Sequence, residues 1–169
     1  PPARAHEDLV SDISIQFTLN DVDRQAVVPA NMLLVDFLRE REQLKGAKIG
    51  CSRGVCGSCT VLIDGTPVAA CSTFAFQANG RSVLTVEGLA RGGALDPVQQ
   101  AFIDNAAFQC GYCTSGMILM TKALLAENKT PDRATIVEWL SSNVCRCTGY
   151  AQIIAAVEDA ARRLREAKR

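Results

Sequence analysis

Eight cysteines stand at 51, 56, 59, 71, 110, 113, 145 and 147, and their spacing limits what this 169-residue chain can fold into more than any other feature. They read C-x4-C-x2-C-x11-C and then C-x2-C-x31-C-x-C, so the two groups of four do not interleave. Disulfide frameworks belong to short secreted chains with too little core. This chain is 48% hydrophobic, long enough to bury one large or two small cores, and its first 30 residues lack a basic stretch followed by an apolar one. Cys145 and Cys147, one residue apart, are also poor partners for each other. A catalytic thiol needs a nearby base, and the single histidine, His6, lies in a polar tail, residues 1–10, expected to be disordered and not a ligand.

Metal binding remains. Three thiols on one loop and a fourth further on, at Cys51, Cys56, Cys59 and Cys71, form the plant-type [2Fe-2S] spacing. The loop "GCSRGVCGSC" threads Gly50, Gly54 and Gly57 among them, giving the backbone room to wrap closely and aim N–H groups at sulfur. The second quartet, Cys110, Cys113, Cys145 and Cys147, is ambiguous on spacing alone, because two pairs about 30 residues apart also suit tetrahedral zinc. Beside a plant-type loop, with no cysteine left over, it reads as a second iron-sulfur site.

Charge names no partner: 18 Lys+Arg balance 18 Asp+Glu, which gives no field that favours nucleic acid or an anionic membrane. The one basic run, "RRLREAKR" at residues 162–169, reads as a solvated helix end. No window approaches 18 consecutive apolar residues, so no membrane span is expected, and a cytoplasmic protein is.

Patterning changes near residue 90. In "DISIQFTLN" Ile13, Ile15, Phe17 and Leu19 alternate with polar residues as a half-buried strand, and "NDVD" turns the chain into "RQAVV" as a hairpin. Asn31 is placed to cap a helix carrying Leu34, Phe37 and Leu38 on one face. "CTVLIDGTPVAAC" reads as a hairpin around Asp64-Gly65, and "SVLTVEGL" as one more strand. After "RGGALDP" the period is helical. Asp96-Pro97 with Gln99, and Thr130-Pro131, are helix starts, and helices are expected over 97–107, 114–127, 131–142 and 150–166. Met117, Met120, Leu124, Ile136, Trp139, Leu140, Ile153, Val157, Ala160 and Leu164 are read as their core residues. The fold class is therefore α+β: a small mixed sheet crossed by a helix over 11–89, and a four-helix bundle over 90–169 with the second cluster at one end.

"GCSRGVCGSCTVLIDG", "QCGYCTSGMI" and "NVCRCTGY" together resemble the small iron-sulfur subunit of molybdenum hydroxylases, the relatives of xanthine oxidase. The resemblance runs from about residue 11 to 165 and matches all eight cysteines. It implies a plant-ferredoxin-like β-grasp domain followed by a four-helix domain, each with a [2Fe-2S] cluster. It also implies an order of flow. Electrons from a molybdenum pterin in a large subunit reach the cluster of Cys110, Cys113, Cys145 and Cys147, then that of Cys51, Cys56, Cys59 and Cys71, then FAD in a medium subunit. Gln109 and Cys147 occupy the positions that approach the pterin. The implied assembly is a dimer of heterotrimers, and the implied substrate a nitrogen heterocycle, an aldehyde or carbon monoxide. The "SRGVCGSC" loop resembles members acting on nitrogen heterocycles. No residues for hydroxylation itself are expected on this chain. Two other readings stand against this one: a free-standing ferredoxin-type carrier, which the neutral charge and the bundle disfavour, and a zinc-stapled interaction module, which would be colourless.

Overall fold

The structure, a computed structural model, describes residues 11–167. The tail of residues 1–10, with His6, and the last two basic residues lie outside the described residues. The class is α+β, as expected. Strands β1 (Asp12–Leu19), β2 (Val22–Pro29), β3 (Thr60–Ile63), β4 (Thr66–Ala69) and β5 (Ser82–Leu84) form one sheet in the order β2-β1-β5-β3-β4. The central pair β1–β5 is parallel and the other neighbours are antiparallel.

The alternation in β1 is realised: Ile15, Phe17 and Leu19 are buried and Ser14 and Gln16 exposed. That buried face packs against helix α1, whose Leu34, Val35, Phe37 and Leu38 are buried, with Phe17 and Phe37 edge to face at 5.7 Å. Helix α1 departs from expectation. It is α-helical only over Leu34–Asp36 and continues as a π turn, Phe37–Arg41, and Asn31 does not cap it. The residue before the helix, Leu33, bridges through its backbone to Phe74, so tertiary pairing replaces a side-chain cap.

Four helices follow: α2 (Pro97–Asp104), α3 (Thr114–Glu127), α4 (Arg133–Leu140) and α5 (Ala151–Glu166). Asp96 caps α2 as read, its carboxylate accepting from Val98 N–H while the Gln99 side chain accepts from Asp96 N–H. The helix ends three residues earlier than 107, because the Asn105 side chain bonds the Ala101 carbonyl and Ala106 turns to φ 47°. Helix α4 is shorter than 131–142 at both ends. Its cap is Asp132, accepting from Thr135 N–H, rather than Thr130. Met117, Met120, Leu124, Ile136, Leu140, Ile153, Val157 and Ala160 are buried as read, with Trp139 and Leu164 half-buried against them.

Among the described residues there are two buried clusters, one between the sheet and α1 and one among α2–α5. Strand β3 serves both: Val61 and Ile63 face the first and Leu62 the second. That double burial is why "TVLI" is an unbroken apolar run rather than an alternating one.

Candidate metal centres

The loop carrying Cys51, Cys56 and Cys59 runs from α1 into β3, and the β3–β4 hairpin brings the chain back to Cys71 in a 3-10 turn, Ala70–Ser72. Pairing of Thr60 with Ala69 sets Cys59 and Cys71 side by side. Backbone donors converge on these sulfurs. Val55 and Cys56 N–H reach Cys51 Sγ at 3.3 and 3.4 Å, Gly54 N–H reaches Cys71 Sγ at 3.3 Å, and Cys71 N–H reaches Cys59 Sγ at 3.4 Å. The N–H groups of Arg53, Val55 and Cys56 hold the Cys51 thiol down to about 6, whereas burial pushes Cys59 up to about 12.

The other four cysteines come from the starts of two helices. Cys110 follows α2, Cys113 is the residue before α3, and Cys145 and Cys147 lie between α4 and α5. Cys110 and Cys147 are exposed, with their sulfurs 3.5 Å apart. Burial pushes Cys113 up to about 12, and the Tyr112 N–H lowers Cys110. At Cys145 burial raises the thiol, but the Thr148 hydroxyl and N–H outweigh it and the net shift is downward.

Cys110 Sγ and Cys147 Sγ lie 3.5 Å apart, and interactions between thiols shift the others in pairs, Cys56 lowering Cys51, Cys71 raising Cys59 and Cys145 raising Cys113. A two-iron cluster held by four thiolates takes two per iron, so this pairing fits such a group. Among the described residues no three His, Cys, Asp or Glu side chains close on a point the size of a single ion. The N–H groups aimed at sulfur fit thiolate ligands, whose charge they stabilise.

Both sets share one opening of about 260 Å³, lined by six of the cysteines (51, 56, 110, 113, 145 and 147) together with Ser58 and Tyr112. Direct bonds brace its walls. Val144 N–H donates to the Cys56 carbonyl at 2.9 Å, Tyr112 OH to the Ile49 carbonyl at 2.7 Å, and Ser115 OH to the Gly46 carbonyl at 2.6 Å. Asn143, fully buried, donates to the Gly57 carbonyl at 3.0 Å. Gly57 has φ +70°, and a Cβ there would meet Asn143 at 2.4 Å; a Cβ on Gly116 would meet the Gly57 carbonyl oxygen at 2.1 Å. Glycine is therefore required at both positions by close approach. Tyr150 begins α5 at φ 68°, held there by its hydroxyl, which donates to the Asn143 carbonyl and accepts from Cys145 N–H, both at 2.8 Å.

All eight cysteines read from the sequence thus lie in two neighbouring groups, and Gln109 is exposed beside Cys110. Sequence reasoning missed the residues that hold the groups: Ser58, Gly116, Asn143, Thr148 and Tyr150. Gly116 carried a signal, an isolated glycine inside a strong helical pattern, which marks a packing constraint.

Residues 42–103 match the family described as "2Fe-2S iron-sulfur cluster binding domain", and residues 85–158 that described as "[2Fe-2S] binding domain". The chain is 46% identical over 148 residues to the nicotine 6-hydroxylase small subunit of Paenarthrobacter nicotinovorans, covering 88% of this chain and 89% of that protein. It is 46% identical over 154 residues to the nicotinate dehydrogenase small FeS subunit of Eubacterium barkeri, covering 91% and 98%. The crystal structure of quinoline 2-oxidoreductase from Pseudomonas putida 86 contains a chain with TM-score 0.88 and 46% identity, over 92% of this chain and 97% of that one. The chain belongs to the small iron-sulfur subunits of the molybdenum hydroxylases. It is an electron-transfer subunit of an oxidoreductase complex, with [2Fe-2S] clusters as its own cofactors and molybdenum pterin and FAD on partner subunits. Among the described residues no helix is long and apolar enough to cross a membrane.

Proposed function

We propose that Cys51, Cys56, Cys59 and Cys71 hold one [2Fe-2S] cluster and Cys110, Cys113, Cys145 and Cys147 the other, in two domains meeting near residue 90: an N-terminal β-grasp and a C-terminal four-helix bundle. A bound [2Fe-2S] cluster takes up and releases one electron at a time, which lets a two-electron oxidation proceed in single transfers. The helical set faces the large molybdenum-binding subunit, with Gln109 and Cys147 beside its pterin, and the loop set faces the FAD-binding subunit. The whole is a cytoplasmic dimer of heterotrimers acting on a nitrogen heterocycle, the chemistry that the names nicotine 6-hydroxylase, nicotinate dehydrogenase and quinoline 2-oxidoreductase share.

The observation carrying this reading is the hydrogen bond from Val144 N–H to the Cys56 carbonyl. Val144 precedes Cys145, so one hydrogen bond and a short covalent path join a cysteine of each set. The backbone N–H groups around Cys51, Cys59 and Cys71 stabilise thiolate charge, and the buried Asn143 keeps the two loops in register. Exposure of Gln109, Cys110 and Cys147 together supports a partner contact at the helical set.

The purified complex is expected to contain four irons and four acid-labile sulfides per copy of this chain, with two reduced EPR signals; two irons, or stoichiometric zinc, overturns the ligand assignment. Rapid mixing with substrate tests the order. Cys56→Ser leaves substrate able to reduce the helical-set cluster while flavin reduction slows, and Cys147→Ser blocks iron-sulfur reduction altogether. The reverse pattern overturns the assigned direction.

A further inference from the structure

Two hydroxyl groups beside the cysteines have no part in the assignment above. Ser58 is buried, and among the described residues the hydrogen-bond partner of its Oγ is Cys56 Sγ, at 3.6 Å, a reach suited to the larger radius of sulfur. Thr148 Oγ1 lies 3.1 Å from Cys145 Sγ, and the same oxygen accepts from Tyr150 N–H at 3.2 Å. While the cysteines are thiols, Cys56 Sγ donates to Ser58 Oγ, and either atom of the Cys145–Thr148 pair can donate. Once Cys56 and Cys145 bind metal as thiolates they can only accept, so a hydrogen bond kept in either pair runs from the hydroxyl to sulfur. Thr148 Oγ1 accepts from Tyr150 N–H and still has its proton free to donate to Cys145 Sγ.

The two cysteines so marked are the pair joined across the junction through Val144 N–H and the Cys56 carbonyl. Each set therefore has a side-chain hydroxyl beside the cysteine that this hydrogen bond links to the other set. Gly50 keeps the Ser58 contact open, since a Cβ there would lie 3.0 Å from Cys56 Sγ and 3.5 Å from Ser58 Oγ.

Building on the ligand assignment above, we infer that Ser58 and Thr148 are paired potential-setting residues, each donating a hydroxyl hydrogen bond to the thiolate that faces the neighbouring cluster, Ser58 for the loop set and Thr148 for the helical set. A donor on a ligand sulfur stabilises the more negative, reduced state of its cluster and so raises that cluster's potential. With one donor on each side both potentials are raised, and loss of either donor lowers one potential relative to the other. Neither residue is a ligand. They are positioning residues that act through Cys56 and Cys145.

The test is an EPR-monitored redox titration of the assembled complex carrying Ser58→Ala, Thr148→Val or Thr148→Ser, with iron counted in each. Ser58→Ala is expected to lower the potential of one signal by about 59 mV, a tenfold change in its oxidised-to-reduced ratio for one electron, and to leave the other in place. Thr148→Val lowers the other signal by a similar amount, and Thr148→Ser, which keeps the hydroxyl, restores it. Where Thr148→Val loses iron, Thr148→Ala is read by the same criterion. Four irons with unmoved or raised potentials, both shifts on one signal, or a shift in Thr148→Ser as large as in Thr148→Val overturns the inference while leaving the ligand assignment intact. Fewer than four irons in the unsubstituted complex overturns the assignment itself.

Discussion

The two cysteine sets are built by opposite means. The loop set takes three of its four sulfurs from one stretch of nine residues, Cys51–Cys59, and backbone N–H groups of that same stretch reach Cys51 and Cys71. The helical set draws from two segments more than thirty residues apart, leaves Cys110 and Cys147 exposed, and is positioned by α3, α4 and α5. A loop folded on itself keeps its geometry mainly by local bonds; a set gathered from helix ends keeps it by packing. Joining them is a clamp of Gly57, Gly116 and Asn143, where the α3 backbone presses on the carbonyl of the loop. Neither set is independent: the local one leans on the packed one at Gly57.

The largest expected effect follows from that clamp. In Gly116→Val a Cβ would sit 2.1 Å from the Gly57 carbonyl oxygen and 2.9 Å from Asn143 Nδ2, and the contacted oxygen is backbone that cannot rotate away. Overpacking of this kind costs about 3 kcal/mol, and both sets share the damage. Iron content and both reduced EPR signals are expected to fall together, with a lowered melting temperature. Retention of either signal at full intensity separates the sets and breaks the picture of a shared clamp.

A smaller change sharpens the contrast instead. Tyr150→Phe removes the hydroxyl that joins Cys145 N–H to the Asn143 carbonyl and leaves both groups without that partner. The cost is about 1–2 kcal/mol, and it falls on the helical set, because Tyr150 touches Cys145 and the segment before it but no cysteine of the loop. The expected result is a lower melting temperature with one EPR signal broadened and the other unchanged. Equal broadening of both signals shows that the loop set depends on the helical segment as strongly as the helical set does.

How much of this was legible in the sequence follows from what holds each part. All eight cysteines could be read because thiol spacing is a chemical requirement carried in short stretches. The strand alternation at Ile15, Phe17 and Leu19 and the Asp96–Gln99 capping box were legible for the same reason: each is decided by residues a few positions apart. Helix α1 was not, since its start is fixed by a bridge to Phe74 and its second half is a π turn. Helices α2 and α4 were drawn too long because Asn105 and Asp132 settle their ends through bonds whose geometry spacing does not show. Asn143 acts on Gly57 from 86 positions away, so its role has no local pattern to betray it, and Ser58 and Thr148, though two and three positions from their cysteines, follow no spacing rule that marks a hydroxyl as a sulfur partner.

The smallest predicted effect lies at the end of the helical region that leads into Cys110. Asp159 on α5 accepts from Arg162, Arg163 and the Asn105 side chain, and Asn105 ends α2 just before Gln109 and Cys110. Burial raises the Asp159 carboxyl, but Arg163 and then Arg162 more than offset this and hold it below the ordinary carboxylate value. Because its folded pKa is depressed, Asp159 contributes stability that is present above the unfolded value and is lost as pH falls through the folded one. Asp159→Asn is therefore expected to lower stability at pH 7 by less than about 1 kcal/mol, because Arg162 is half exposed and solvent screens the pair. The difference from the unsubstituted protein stays flat between pH 8 and pH 5, since both titrations lie near or below the ordinary value of about 3.9, and it closes only below that. Both EPR signals and the iron content stay as they were, because the contact steadies the approach to Cys110 without touching its sulfur. A gap that widens as pH falls from 7 to 5 shows a raised carboxyl instead and overturns the assignment of Asp159 as held low by its arginines.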